Sequence, residues 1–306
     1  MSVELPGRRV LVTGGAGFLG SFLCPLLEAR GADVFVPRRR DFDLTEQSDV
    51  RRLMIESRPD IVIHLAAEVG GIGANRENPG RFFYANAAMG INLIEESRRS
   101  GVEKFVQVGT VCAYPKFTPV PFEEDHLWDG YPEETNAPYG LAKKMLLVQA
   151  QAYRQEYGFN AVYLLPVNLY GPGDNYDLHN SHVLPALIRK FHEAKTQGKA
   201  SVTLWGTGTP RREFLHSDDM ADACIHVMSM TASDYEDATA KHDVSFLNVG
   251  TGKDLTIADL ADLVKRTVGY TGEVVFDATR PNGTPKKLLD VSRLNAAGWQ
   301  ARIPLE

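Results

Sequence analysis

The sequence predicts an α/β fold: a Rossmann-type, doubly wound parallel sheet followed by a smaller α+β region. Three observations carry this reading. Short β-branched and apolar runs alternate with helical patterns over the first two-thirds of the chain. Those runs are apolar throughout, as strands covered by helices on both faces must be. A glycine-rich turn joins the first strand to the first helix.

"RVLVTG" reads as the first strand and residues 18–30 as the helix after it. "ADVFVP" is the second strand, and "SDVRRLMIESR" supplies the next helix after a loop. "DIVIHLAA" is the third strand, followed by a long helix over 81–100. "KFVQVGT" is the fourth strand, 139–157 another helix and "NAVYLLPV" the fifth strand. After about residue 172 the rhythm breaks. A polar loop, "GPGDNYDLHNSH", precedes a helix at 183–195. Helices near 218–230 and 256–268 then punctuate "VTLWGTGTPRREFLH", "SFLNVGTG" and "GEVVFDATRPNGTPKKLLD". Residues 1–172 are expected to bind a dinucleotide and 173–306 mainly a second ligand, with the chain crossing back between them. The cleft between the two parts is the expected site.

The 306 residues carry 33 Lys and Arg against 39 Asp and Glu, a net charge of −6. The basic residues are dispersed apart from the run at 38–40, so no nucleic-acid partner is expected. No apolar run reaches the ~20 residues of a membrane span. Cys24, Cys112 and Cys224 are too scattered for a disulfide framework or a metal site. The N-terminus runs straight into a strand rather than a signal sequence, so a cytoplasmic location is expected.

"VLVTGGAGFLG" sets Gly14, Gly17 and Gly20 at a strand-to-helix junction that opens a βαβ unit. In that context the glycines allow a tight turn and close approach to a pyrophosphate, and the helix N-terminus faces it. The end of the second strand chooses between cofactors. An acid there would hold a ribose 2′-hydroxyl. This chain has Arg38, Arg39 and Arg40 instead, and guanidiniums suit a 2′-phosphate. NADP(H) is favoured over NAD(H). Asp43 and Leu44 are placed to flank the adenine.

"YGLAK" puts Tyr139 and Lys143 on one helix face. A phenol with its ordinary pKa of about 10 is a poor catalyst at neutral pH. A lysine cation and a cationic nicotinamide both favour the phenolate. Thr110, at the end of the fourth strand, can hydrogen-bond a substrate oxygen.

Across "EVGGIGAN", "CAYPK", "NAPYGLAKK", "NLYGPGDNYDLHNSHVLPALIRKFHEA", "WGTGTPRREFLHSDDMA", "LNVGTG" and "GTPKKLLD" the chain resembles the extended short-chain dehydrogenase/reductases that act on nucleotide sugars. Within them it is most similar to the epimerase–reductases of GDP-4-keto-6-deoxy sugars. The resemblance implies contacts to NADP(H) from Phe18, Leu19, Ala66 and Pro166 as well. It implies that Cys112 acts as base and His182 as acid in 3,5-epimerisation, before reduction at C-4. Thiol and imidazole have ordinary pKa values of about 8.5 and 6.5, which suits that work. The plainer readings are a packed cysteine and a helix-capping histidine. Val111 and Ala113 beside Cys112 leave no acid to drive dehydration. Val111 also stands where the family carries a second serine, which bears on the exact sugar.

On the nucleotide side, the Arg212 fork suits a diphosphate, and the resemblance assigns Asn168 to the substrate pocket. Trp205 reads equally as a stacking wall or a core residue. Lys190 and Lys286, or its neighbour Lys287, offer phosphate or base contacts. His64 is expected to be a satisfied core histidine, His216 to support a strand–helix junction and His179 to face solvent. The resemblance implies a homodimer through a four-helix bundle. Reduction alone, epimerisation alone, or a non-catalytic NADP-sensing protein are the rival readings.

Overall fold

The computed structural model describes residues 4–178, 181–239, 244–280 and 282–306; His179 lies outside them. The first part of the chain runs β1 (Arg9–Thr13), α1 (Gly20–Ala29), β2 (Asp33–Phe35), α2 (Gln47–Ser57), β3 (Ile61–His64), α3 (Ile72–Glu77) and α4 (Pro79–Arg99). It continues with β4 (Lys104–Val108), α5 (Ala137–Tyr157) and β5 (Ala161–Pro166). A one-turn 3-10 helix, Val111–Ala113, lies between β4 and α5. The remainder is β6 (Asn168–Tyr170), α6 (Val183–Thr196), β7 (Ser201–Trp205), β8 (Arg211–His216), α7 (Ser217–Ser229), α8 (Ala232–Thr239), β9 (Leu247–Val249), β10 (Asp254–Thr256), α9 (Ile257–Val268), β11 (Glu273–Asp277), β12 (Lys286–Lys287) and α10 (Ser292–Ala296). The short helices α3, α8 and α10 are too brief to show a clear helical period in the sequence.

The main sheet has the order β2-β1-β3-β4-β5-β9, and all its pairs are parallel. β1 lies between β2 and β3, so the winding reverses beside it. In such sheets the crevice at the reversal is where ligands bind. Val10, Leu11, Ile61, Val62, Phe105 and Val106 are fully buried, which explains their unbroken apolar runs. On one face α4 and α5 lie side by side. They approach so closely that a Cβ on Gly90 would meet the Leu146 side chain at 2.2 Å.

The smaller part has its own core, including Leu187, Phe191, Phe214 and Leu260. There β8 pairs with β10, β12 and β6, and β7 pairs with β11. α7, β9 and α10 return to the main core through Met220, Cys224, Leu247 and Leu294.

Glu213, in β8, ties the two parts together. Its carboxylate is fully buried. It accepts from the N–H groups of Thr251, Gly252 and Leu289 at 2.5, 2.7 and 2.9 Å. A Cβ on Gly250 would meet Glu213 Oε1 at 2.4 Å, so only glycine fits beside it. Glu213→Ala leaves those backbone donors unpaired. We expect it to lower the unfolding free energy by about 3 kcal/mol, read as a fall of the thermal midpoint by several degrees.

Candidate active site

The glycine turn takes the expected form. Gly14 has φ +73°, which favours glycine, and a Cβ there would meet the Ala66 backbone nitrogen at 2.6 Å. Gly17 donates its N–H to the Gly14 carbonyl at 2.8 Å. A Cβ on Gly20 would meet the Gly15 backbone at 2.4 Å, so α1 presses tightly on the turn. Phe18 and Leu19 complete the turn, and Phe18 packs edge-on against Phe22. Pro166 is buried at the carboxyl end of β5.

Arg39 pairs with Glu68 at 2.8 Å, and Arg40 lies 3.5 Å from Asp41. Arg38 is exposed one residue before Arg39. Asp43 and Leu44 serve the loop itself. The Asp43 carboxylate accepts the Thr45 hydroxyl at 2.7 Å and the Thr45 N–H at 3.0 Å. Those bonds hold its pKa below the ordinary carboxylate value. The Leu44 side chain is buried in the core.

Thr110 caps the 3-10 turn, its hydroxyl accepting from the Cys112 N–H at 3.2 Å. The start of α5 lies directly on that turn: a Cβ on Gly140 would meet the Cys112 carbonyl oxygen at 2.5 Å. This close approach puts Tyr139 in hydrogen-bond contact with Thr110 and within electrostatic reach of Cys112. The protein's own groups do not by themselves supply the lowering that a lysine and a nicotinamide cation together would give. Burial raises its pKa, the Cys112 sulfur adds to that, and the Thr110 bond opposes both only in part. A phenol that keeps its proton is the form a reduction needs as donor. Lys143 is buried, and burial pushes its pKa down to about 8.

His64 differs from the satisfied core histidine expected. Its Nδ1 bonds Thr13 Oγ1 at 2.7 Å, but Nε2 has no partner among the described residues. Burial, then the Lys143 ammonium, hold its pKa well below the ordinary value. His216 caps α7, as a junction residue would, accepting from the Asp218 N–H.

The substrate side is set by strand register. β12 runs parallel to β8, with Lys286 opposite Arg211 and Lys287 opposite Arg212. Successive strand residues point to opposite faces. Lys286 and Arg211 both meet Asp254, at 3.2 and 2.9 Å. Lys287 points the other way, its Nζ 3.5 Å from Cys112 Sγ. Of the two lysines, then, Lys287 faces the cysteine and Lys286 is engaged elsewhere. Arg212 lies within reach of the same sulfur. Burial lowers its pKa and Cys112 opposes the shift.

His182 begins α6 but makes no side-chain capping bond, so the plain capping reading does not hold. Its ring reaches solvent although protein surrounds it, the situation of a cleft wall. Desolvation, then the Lys287 ammonium, hold its pKa below the ordinary value. Lys287 is thus the neighbour common to Cys112 and His182. Trp205 is 60% exposed and is not a core residue. The Arg280 guanidinium lies 5.2 Å from its ring centroid. Asn168 donates to the Glu213 carbonyl at 3.1 Å. Lys190 stands 3.4 Å from the Thr203 carbonyl, its pKa lowered by burial.

A glycine turn at the switch point of a parallel sheet, beside a Tyr-x-x-x-Lys helix face, defines a dinucleotide-dependent enzyme of the short-chain dehydrogenase class. The chain belongs to the NAD dependent epimerase/dehydratase family, whose pattern matches residues 10–239. It is 44% identical over 300 residues to the GDP-L-fucose synthase of Escherichia coli (strain K12), covering 98% of this chain and 93% of that one. Among solved structures it is similar to a GDP-6-OMe-4-keto-L-xylo-heptose reductase from C. jejuni. That match has a TM-score of 0.92 and 31% identity, and covers 100% of this chain and 96% of the other. A GDP-mannoheptose C4 reductase from Campylobacter jejuni with NADP bound matches with a TM-score of 0.89 and 33% identity, over 99% and 96% of the two chains.

Lys143 carries its ammonium below pH 8 and loses it above, because burial has brought its pKa down to about 8. From the Tyr-x-x-x-Lys face, this ammonium is expected to stabilise the charge left on Tyr139 as it gives up its proton. For reduction, kcat/KM should therefore fall as pH rises through about 8. A pH–rate profile flat from 7 to 9, a window set by that value, would contradict this role.

Proposed function

We propose that the protein catalyses NADPH-dependent 3,5-epimerisation and 4-reduction of a GDP-4-keto-6-deoxy sugar, giving GDP-L-fucose or a close relative. The observation that carries this is the meeting of two sets of groups. Thr110, Tyr139 and Lys143 form a reductase end, and Cys112 joins it to a wall made by the Arg212 and Lys287 cations and His182. A C-4 ketone acidifies the C–H bonds at C-3 and C-5. At each centre Cys112, as thiolate, would take the proton, leaving an enolate, and His182, as imidazolium, would return one to the opposite face; proton exchange with water then resets both groups for the second centre. NADP(H), held at the glycine turn, would supply the hydride for C-4, and Tyr139 would give its proton to the oxygen. Arg212 and Lys287 are placed to bind the diphosphate, and exposed Trp205 to wall the nucleotide. The GDP-L-fucose synthases among the relatives support the substrate, and the NADP-bound neighbour supports the cofactor.

Reduction without epimerisation is the second reading, favoured by the fold match to the heptose reductases and by Val111 in the cysteine turn. The pairing of Cys112 with His182 through Lys287 favours the dual activity. A purely cofactor-sensing protein would have no use for the buried Tyr139 and Lys143.

The protein is proposed to act as a homodimer in the cytoplasm. Tyr84, Ala88 and Ile91 on α4 and Leu141, Met145 and Val148 on α5 face outward at helical spacing. These are the residues that would pack against the same two helices of a second copy. No helix among the described residues is long and apolar enough to cross a membrane. The three cysteines are unpaired, which suits a reducing compartment.

Oxidation of NADPH on addition of GDP-4-keto-6-deoxymannose tests the reductase claim; no loss of nicotinamide absorbance would sink it. In deuterated water, label should enter C-3 and C-5 of the product. Cys112→Ser should slow that exchange by tenfold or more, and reduction less. Product without label would leave reduction alone standing. For the assembly, Ile91→Arg combined with Val148→Arg should convert a dimer to a monomer in sedimentation. A wild type that sediments as a monomer would refute the bundle.

A further inference from the structure

Glu68 lies two residues beyond Ala66 in the loop after β3, and Arg39 lies in the loop after β2. β2 and β3 flank β1. An ion pair between these loops therefore spans the carboxyl end of β1, where the glycine turn sits. That pair is present: Arg39 Nη1 stands 2.8 Å from Glu68 Oε1. The other carboxylate oxygen is held by Arg81 Nε at 2.6 Å, from the first turn of α4.

Glu68 is the fixed member of the trio. Its N–H donates to Asn86 Oδ1 at 3.2 Å and its carbonyl accepts from Asn86 Nδ2 at 2.8 Å. Asn86 is fully buried in α4. The Glu68 side chain is 14% exposed, whereas those of Arg39 and Arg81 are 68% and 62% exposed. Burial pushes the Glu68 carboxyl up, but the hydrogen bond and charge of Arg81, then those of Arg39, outweigh it and hold the pKa below the ordinary value. A fixed acid between two long, exposed cations decides where those cations sit.

Each guanidinium keeps donors in reserve. Arg39 uses Nη1 and Arg81 uses Nε on Glu68, so two nitrogens of each stay open. A phosphate monoester accepts such forks in pairs. The two cations and one anion leave a positive balance, to which Arg38 adds. Asp43, the other acid acting on Arg39, has its carboxylate engaged by Thr45.

We propose that Arg81 joins Arg39 in binding the 2′-phosphate of NADP(H), with Glu68 as the positioning residue that aims both. The preference for NADP(H) over NAD(H) then depends on α4 as well as on the end of β2. The proposal rests on the NADP(H) reading above, and cofactor titration without sugar tests the two separately.

Binding is followed by nicotinamide fluorescence with NADPH and NADH. Arg81→Met should weaken NADPH roughly tenfold, the size of one charge-assisted hydrogen bond, and leave NADH within about twofold. Adenosine 2′,5′-bisphosphate should lose the same factor as a competitor, and ADP should not. Glu68→Gln is the sharper variant, because two accounts give it opposite signs. If the cluster acted through charge alone, removing an anion beside a phosphate site would tighten NADPH. Positioning predicts weakening by about threefold or more, with NADH little changed. Equal losses for both cofactors in Arg81→Met, or tighter NADPH binding in Glu68→Gln, would overturn the proposal. A wild type with no preference for NADPH would overturn the NADP(H) reading itself. A preference that Arg81→Met leaves intact would sink only the role of Arg81. Arg81 is exposed, so that substitution still decides the matter if Glu68→Gln fails to fold.

Discussion

The carboxylate of Glu213 lies wholly out of solvent and accepts three backbone N–H groups and the Thr251 hydroxyl. Burying a carboxylate costs several kcal/mol, and such a set of donors is what offsets it. The tension shows in its pKa, which burial raises and the backbone donors pull back. Those donors come from two places, the turn after β9 and the residue two beyond β12. β9 belongs to the main sheet and β12 to the smaller one. One anion therefore fixes the smaller sheet against the larger. Asn168 adds a bond to the Glu213 carbonyl from the strand just after β5. Once β8 is held this way, the neighbouring side chain, Arg212, can only point into the cleft.

The same alternation explains why the cleft is cationic on one wall. Arg212 and Lys287 lie opposite one another in parallel strands and share a face. Arg211 and Lys286 share the other, where Asp254 takes both. Charge is thus sorted by register: paired with Asp254 on one face and left open toward Cys112 on the other. Burial disfavours charge in that cleft. It lowers Lys143 and Arg212, lowers His182 and raises Tyr139. An anionic ligand works against each of the cationic shifts, because it restores to the cations the interaction that water no longer supplies.

What the sequence made legible is what depends on short spacing. The glycine turn and the Tyr139–Lys143 pair each lie within one local element, and both stand where the motifs put them. The fold class was readable because strands buried on both faces carry unbroken apolar runs. Choosing between Lys286 and Lys287 was not, since it depends on which way a two-residue strand faces in a tertiary pairing. A signal was nonetheless there: "TPRREF" and "TPKKLL" are alike, and they lie in register in adjacent strands. Placing either basic pair places both. Trp205 read equally as core or wall because β7 alternates and only its packing shows which face is out. The engagement of Asp43 with Thr45 is a turn closing on itself, which the sequence does not announce. The roles of Glu68 and Glu213 lie in long-range contacts that no local pattern announces.

The identity of residue 112 follows from its neighbours. A carboxylate ordinarily titrates near about 4 and a thiol near about 8.5. Set between the Lys287 and Arg212 cations, a carboxylate would be held lower still, too weak a base to take a C–H proton at neutral pH. A thiol, whose ordinary value lies well above a carboxylate's, starts with the basicity that a carboxylate lacks. Arg212 owes its aim to Glu213, and Cys112 owes its place to the turn that Gly140 lets α5 press upon. A base at Cys112, as proposed, would therefore be assembled from both parts of the molecule. A change in the glutamate should disturb proton transfer at carbon before it disturbs hydride transfer, because Tyr139 and Lys143 stand on α5 of the Rossmann part alone.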